Sequence, residues 1–308
     1  MVREGSSEME KKRKIRDPLG DRIYHAVALF ILALIMLTII YPIWTVLIAS
    51  FSNPIELYQK AFLLWPSKIT LESYKLVFRD HDFLTGMFNS ICYTVVGTLV
   101  NVVMNICAAY PLSKQNLKGK NFLMMLFTFT MFFSGGIVPT YILIGNLKLL
   151  DNFWVMILPS AVSMFNVIVM RTYFQTNIPQ ELEDAASVDG CTNFRFLLRI
   201  VLPLSAPIIV VIALYYGVAH WNDYFTAMMY LTKSSMYPLQ LVLRDILLQN
   251  QAGNMLNVVT DAAYAERMMS RMGLKYAVIV ISTIPILAVY PFAQKFFTKG
   301  VMIGSVKG

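Results

Sequence analysis

Charged residues fall along the chain in clusters, and between the clusters lie long stretches with none: 23–55, 83–113, 121–147, 152–170, 200–222 and 276–294. A helix that crosses a bilayer needs about 20 predominantly apolar residues, and each stretch is long enough. A seventh uncharged window, 246–260, carries Gln249, Asn250, Gln251, Asn254 and Asn257 and is too polar to span. The pattern predicts six spanning helices, at about 25–51, 84–112, 121–145, 152–173, 202–231 and 274–296. Turn and breaker residues punctuate them. Ser52-Asn53-Pro54 follows the first span, Pro111 ends the second, and Ser134-Gly135-Gly136 with Pro139 interrupts the third. Such a break belongs to a helix that faces a bundle interior or cavity, or is a packing kink. Pro159 lies in the fourth span, and Pro285 and Pro291 in the sixth.

Composition agrees. Of 308 residues, 57% are hydrophobic and 14% charged, and the mean hydropathy is +0.58. Soluble domains carry about 25% charged residues, so the expected class is an all-α integral membrane protein. The net charge of +8 marks topology rather than nucleic-acid binding, because the basic residues punctuate the spans instead of forming a patch. Arg3, Lys11, Lys12, Arg13, Lys14, Arg16 and Arg22 precede the first span, Lys114, Lys118 and Lys120 follow the second, and Lys295, Lys299 and Lys307 close the chain. Lys and Arg near span ends stay cytoplasmic, which places both termini inside. Segments 56–82, 148–151 and 232–272 are then outside, the first with Tyr58, Phe62, Trp65, Tyr74 and Phe78 suited to the headgroup level. The expected organisation is a basic N-terminal segment 1–24, one six-helix domain over 25–299, and a tail 300–308. The first apolar run is too long for a signal peptide and reads as a retained helix. Cys92, Cys107 and Cys191 imply no disulfide framework, and the scattered His25, His81 and His220 imply no metal site.

The cytoplasmic loop 177–199 holds the most specific chemistry. Pro179 suits the first position of a helix. Glu181, Glu183 and Asp184 fall in its opening turns, where the helix dipole favours negative charge. Gly190 can end it in the left-handed conformation. Thr192 or Asn193 can cap a second helix, with Phe194, Leu197, Leu198 and Val201 at helical spacing. On the first helix Leu182, Ala185, Ala186 and Asp189 share one face by their i, i+3, i+4, i+7 spacing. An acidic, alanine-rich helix suits anionic headgroups poorly and points to docking against a partner protein.

Asp184-Ala185-Ala186, three residues, Gly190, nine residues, then Ile200-x-Leu202-Pro203 resembles the signature loop of the membrane subunits of ABC importers. The string from Pro179 to Gly190 is similar to the carbohydrate, maltose-type branch, with Asp184 where Glu is usual. Trp221-Asn222-Asp223-Tyr224, Tyr237-Pro238-Leu239-Gln240 and the tail from Gln294 to Gly308 extend the likeness over nearly the whole chain. The resemblance implies a type I importer permease fold. It implies that the loop docks on a cytoplasmic ATPase homodimer through Glu181, Glu183, Asp184, Ala185, Ala186, Asp189 and Gly190. Tail residues Gly300, Gly304 and Gly308 would reach between the ATPase subunits, external loop 232–272 would engage an extracellular or periplasmic sugar-binding protein, and a second homologous permease would complete the pore. No G-x-x-x-x-G-K-[ST] phosphate loop is present, so the chain is expected to be non-catalytic, with ATP and magnesium held by the partner ATPase.

Tyr215, Tyr216, Trp221, Asn222 and Asp223 combine aromatic faces with polar groups near a span end. They are candidates for the sugar path or for an interfacial aromatic belt. The expected cargo is an oligosaccharide. Within the family, the basic N-terminal segment and segment 55–82 look closest to permeases for larger or acidic oligosaccharides. Two other readings are an importer permease for a non-sugar solute, which would share the loop, and an ion-coupled secondary carrier, which would need charged residues inside the spans.

Overall fold

The computed structural model describes residues 19–53, 56, 65–255, 273–292 and 294. The basic segment before Leu19, residues 54–64 apart from Glu56, the far part of the external loop (256–272) and the tail with Gly300, Gly304 and Gly308 lie outside the described residues. Among the described residues all regular structure is helical.

The first helix, α1 (Leu19–Ser50), carries no charge beyond Arg22 and is apolar on every side, and none of its most apolar stretch is buried by the rest of the chain. Only its end is anchored. Ile48, Ala49, Ser50 and Ser52 are buried, and Ser50 Oγ and Tyr74 OH share a hydrogen bond of 2.8 Å. Tyr74 belongs to the short helix α2 (Glu72–Val77).

Helix α3 (His81–Ser113) is the spine. It starts where Asp80 accepts from the backbone N–H groups of Asp82 and Phe83, at 2.9 and 3.2 Å, an N-cap that satisfies two otherwise orphaned donors. Its buried stripe reads Phe83, Gly86, Ser90, Tyr93, Gly97, Asn101, Asn105, Ala109. Val95, Leu99 and Phe88 point outward. Small and polar residues inside with large apolar ones outside is the arrangement of a helix surrounded by lipid, where close backbone approach and interhelical hydrogen bonds replace hydrophobic burial. The helix does not stop at Pro111. It continues to Ser113, because a proline so near the end removes only one helical hydrogen bond.

Three further pairs of helical segments are bent at a short break. Helices α4 (Lys120–Phe132) and α5 (Ile137–Asn146) meet at 111° across the predicted Ser134-Gly135-Gly136 break, where Gly136 has φ +86°. Two 3₁₀ turns (Phe153–Met156 and Leu158–Ser160) meet α6 (Met164–Asn177) at 55°. Past α7 (Gln180–Val188), helix α8 (Asn193–Leu204) meets α9 (Ala206–Trp221) at 81°. The expected fifth span at 202–231 is therefore three pieces. Residues 202–204 close α8, α9 is the apolar helix, and α10 (Phe225–Tyr230) is separate. Pro203 and Pro207 withhold backbone donors on either side of Ser205, and the Asp223 carboxylate accepts from Thr226 N–H at 3.0 Å where the chain restarts. The chain then forms α11 (Leu239–Met255) and α12 (Gly273–Phe292). Among the described residues, three helices are long and apolar enough to cross a membrane, and up to six segments are if each bent pair counts as one.

Helix α3 enters all three buried clusters. Ala109 and Leu112 pack with α6, α8 and α9, Phe83 with α11, α12 and Trp221, and Tyr93 with Ile144, Val155, Ala227 and Leu241.

Candidate coupling surface and buried polar layer

The loop between α6 and α9 folds as its residues predict, apart from a one-residue shift at Pro179 and two larger corrections. Pro179 is the N-cap of α7, one position before the helix, with φ −61° and ψ 144°. Glu181 and Glu183 lie in the first turn. At the other end Gly190 N–H donates to Ser187 C=O at 3.1 Å and Cys191 N–H to Ala186 C=O at 2.9 Å. These two bonds are a Schellman cap, and they require Gly190 at φ +73°. Nothing lies within 4 Å of a Cβ placed there, so the glycine serves the turn and leaves a clear surface. Thr192, not Asn193, caps α8, its hydroxyl accepting from Arg195 N–H at 3.4 Å.

The first correction concerns which face is free. Ala186 is buried and Leu182 packs against the same cluster, so half of the Leu182, Ala185, Ala186, Asp189 face belongs to the subunit itself. Glu181, Asp184, Ala185, Asp189 and Gly190 are exposed, beside Val188 at 89% and Phe194 at 70% exposure. Glu183 turns inward and forms an ion pair with Lys114. The second correction concerns α8. Phe196 and Val201 are buried, whereas Phe194 faces out. Residues Leu197–Val201 form a π turn, which inserts a residue and shifts the phase of the apolar stripe.

The five residues expected on the sugar path do not converge. Tyr215 is 47% exposed, and Tyr216, one position on, is 5% exposed, because consecutive helix residues point about 100° apart. Trp221 is buried and donates from Nε1 to Ser282 C=O at 3.1 Å, tying α9 to α12. Asn222 donates back to Val218 C=O at 2.9 Å, and Asp223 accepts from Thr226 N–H in the first turn of α10.

Tyr216 instead joins a polar layer that sequence reasoning missed. Its hydroxyl accepts from Asn105 Nδ2 at 2.6 Å and from Ser163 N–H at 2.7 Å. Asn105 Nδ2 also donates to Asn101 C=O at 2.8 Å, Asn101 Nδ2 to Ser160 C=O at 2.6 Å, and Asn101 Oδ1 lies 3.0 Å from His220 Nε2. The layer joins α3 and α9 to the free backbone groups at the 160–163 break, the way a bilayer-spanning chain must satisfy an interrupted helix. Gly97 makes room for it, since a Cβ there would lie 2.5 Å from His220 Nε2. The available signal was Gly97, Asn101 and Asn105 at four-residue spacing on one face of an apolar helix. Beside this layer an apolar groove of about 910 Å³ runs between α3, α9 and α12, lined by Val95, Leu99, Leu214, Trp221, Ile286 and Val289 among others.

On the opposite flank, Asp151 fastens two loops. Its carboxylate accepts from Thr232 Oγ1 and N–H, each at 2.6 Å, and from Lys233 N–H at 3.3 Å. The Thr232 hydroxyl first, then its amide, hold this carboxyl below its ordinary value against the opposing effect of desolvation, with lesser help from the Lys233 amide and charge.

Among the described residues, all regular structure is helical, with apolar faces turned out and a polar layer turned in, as in a multi-pass membrane protein. The family described as "Binding-protein-dependent transport system inner membrane component" matches residues 83–303, and the chain belongs to it. It is thus a non-catalytic ABC transporter permease subunit of the bacterial cytoplasmic membrane. Protein LplC of Bacillus subtilis (strain 168) is 45% identical over 269 residues, 87% of this chain and 90% of the relative. The polygalacturonan/rhamnogalacturonan transport system permease protein YtcP of the same organism is 39% identical over 292 residues, 94% and 100% of the two chains. Among solved structures, a chain of a bacterial ABC transporter involved in the import of the acidic polysaccharide alginate is similar with a TM-score of 0.82 at 30% identity, covering 91% of this chain and 99% of that one.

Proposed function

We propose that this chain is one of two permeases forming the pore of an importer for oligosaccharides derived from acidic polysaccharides. In this reading six segments span the membrane, each bent pair as one, both termini are cytoplasmic, and the domain runs over 25–299. The observation that carries the reading is the α7–α8 elbow, with its acidic, exposed outer face and its glycine cap free of internal neighbours. The cargo rests on the relatives named for pectin-type polymers and on the alginate importer.

The elbow docks on an ATPase homodimer that holds ATP and magnesium. Glu181, Asp184, Ala185, Asp189 and Gly190 form the docking face, and Glu183 and Ala186 hold that face to the subunit. The tail with Gly300, Gly304 and Gly308 reaches between the ATPase subunits, and loop 232–272 meets a sugar-binding protein outside. The exposed length of α1 leaves a surface on which a second permease can pack. ATPase closure moves the elbow as a rigid body and shifts the bundle between inward- and outward-facing packings, through contacts that differ between the two states.

The test is purification from the native membrane by an affinity tag. A second permease and an ATPase in a 1:1:2 ratio with this chain are expected, together with uptake of oligogalacturonides that stops when this chain is deleted. A homo-oligomer without ATPase overturns the reading. An intact complex that ignores acidic oligosaccharides overturns the cargo alone.

A further inference from the structure

Helix α3 ends in a dense knot of side-chain bonds. Arg171 Nε donates to Leu112 C=O at 2.9 Å, Gln175 Nε2 to Ser113 C=O at 3.1 Å, and Lys120 Nζ to Lys114 C=O at 3.0 Å. Three carbonyls that a helix end leaves orphaned are thereby fastened to α6 and α4. The Lys114 ammonium leaves this knot toward the elbow. It lies 2.7 Å from Glu183 Oε1 and passes 4.5 Å from the ring centroid of Tyr110 and 4.9 Å from that of Phe196. A second link runs alongside, from Tyr110 OH to Asn193 C=O at 3.2 Å. A cavity of about 270 Å³ adjoins the pair, lined by Ser113, Gln115, Gln175 and Gln180 among others.

Resting on the proposed function, we infer that Lys114 is a positioning residue that carries motion of the docked elbow into α3. Among the described residues, Glu183 is the one acid of α7 in an ion pair. Glu181, Asp184 and Asp189 face out, toward any docked partner. The acids of this elbow therefore divide by task, and Glu183 is the one turned to the end of α3. The cavity leaves the elbow room to slide over α3. Apolar contact along its wall would permit that slide. A charge pair mostly shielded from water, with its cation held between two aromatic faces, resists displacement in every direction. It ties the elbow to the helix that enters all three buried clusters.

Hydrogen–deuterium exchange on the full complex in nanodiscs tests this, comparing the resting state with the state trapped by ATP and orthovanadate. In the wild type, trapping is expected to change exchange in α7 and in the last two turns of α3. In Lys114→Met, which keeps the alkyl stem on Tyr110 and Phe196, the α7 change persists and the α3 change falls about five-fold. Glu183→Gln gives the same split without touching α3, so a folding defect of the first variant does not decide the result. The swap Lys114→Glu/Glu183→Lys restores the α3 response, which loss of packing alone would not allow. The inference is overturned by an α3 response that survives both single variants, by its absence in the wild type, by no rescue in the swap, or by loss of the ATPase from both variants. A wild-type complex that contains no ATPase would instead overturn the proposed function.

Discussion

Replacing Gly97 with alanine drives a methyl group into the imidazole of His220. The new carbon would stand 2.5 Å from Nε2 and 2.8 Å from both Cδ2 and Cε1, where ordinary contact begins at 3.4 Å. The ring is buried and cannot swing to solvent, so either it abandons its 3.0 Å bond to Asn101 Oδ1 or α9 withdraws from α3. Overpacking of this kind costs about 1–3 kcal/mol. The lost hydrogen bond adds only about 0.6 kcal/mol, the average for interhelical bonds in a bilayer protein. The total is about 2–4 kcal/mol, most of it steric. The double variant Gly97→Ala/His220→Ala separates the two causes, because the methyl then occupies the space the ring has left. It should be less destabilised than the sum of the single variants by about 1–3 kcal/mol. Unfolding by SDS in mixed lipid–detergent micelles, followed by circular dichroism, measures all four corners of the cycle. A Gly97→Ala protein within about 0.5 kcal/mol of wild type, with no coupling in the double variant, would refute the close approach of α3 and α9.

Tyr216→Phe removes the acceptor of Ser163 N–H and Asn105 Nδ2 and should cost about 1–2 kcal/mol; amide exchange at Ser163 as slow as in the wild type would contradict this. Asp151→Asn takes the charge from the clamp on Thr232 and Lys233 and should speed exchange of both amides at neutral pH. Because the folded carboxyl titrates below its unfolded value of about 3.9, the clamp is fully present above that pH and is lost as pH falls through the lowered folded value; an acid profile identical in the Asn variant would sink the assignment. At Gly190, valine must take a left-handed φ at a cost of about 1–2 kcal/mol, whereas asparagine adopts it more readily. Uptake at equal membrane level should therefore rank Gly, then Asn, then Val, and equal uptake by all three would remove Gly190 from the docking face.

Helices α1, α3 and α12 were legible because a bilayer penalises charge so heavily that its absence outlines each of them. The elbow was legible for a different reason: an acidic first turn, Gly190 and Thr192 act through bonds within a few residues of themselves. Two things were hidden. The π turn at Leu197–Val201 depends on how α8 meets its neighbours, so regular helical spacing from Phe194 does not find the buried Phe196. The sugar-path set was assembled by adjacency, yet residues 215 and 216 sit on different sides of one helix, and the partners of Tyr216 come from α3 and the 160–163 break.

That last failure has a general physical source. In a soluble helix the apolar stripe marks the inside, and a search of α3 on that basis selects Val95 and Leu99, which face outward. Lipid supplies apolar contact on every side, so a large aliphatic residue gains little by turning inward. A polar residue gains everything, because an unpaired amide in hydrocarbon costs several kcal/mol. The inner face of each span is therefore marked by its least apolar residues, and Gly97, Asn101 and Asn105 mark it on α3. Read by the same rule, α9 shows Tyr216 and His220 four residues apart, and these are the side chains that meet the α3 stripe. Two short polar repeats, each unremarkable within its own helix, together specify which faces of α3 and α9 pack and in what register.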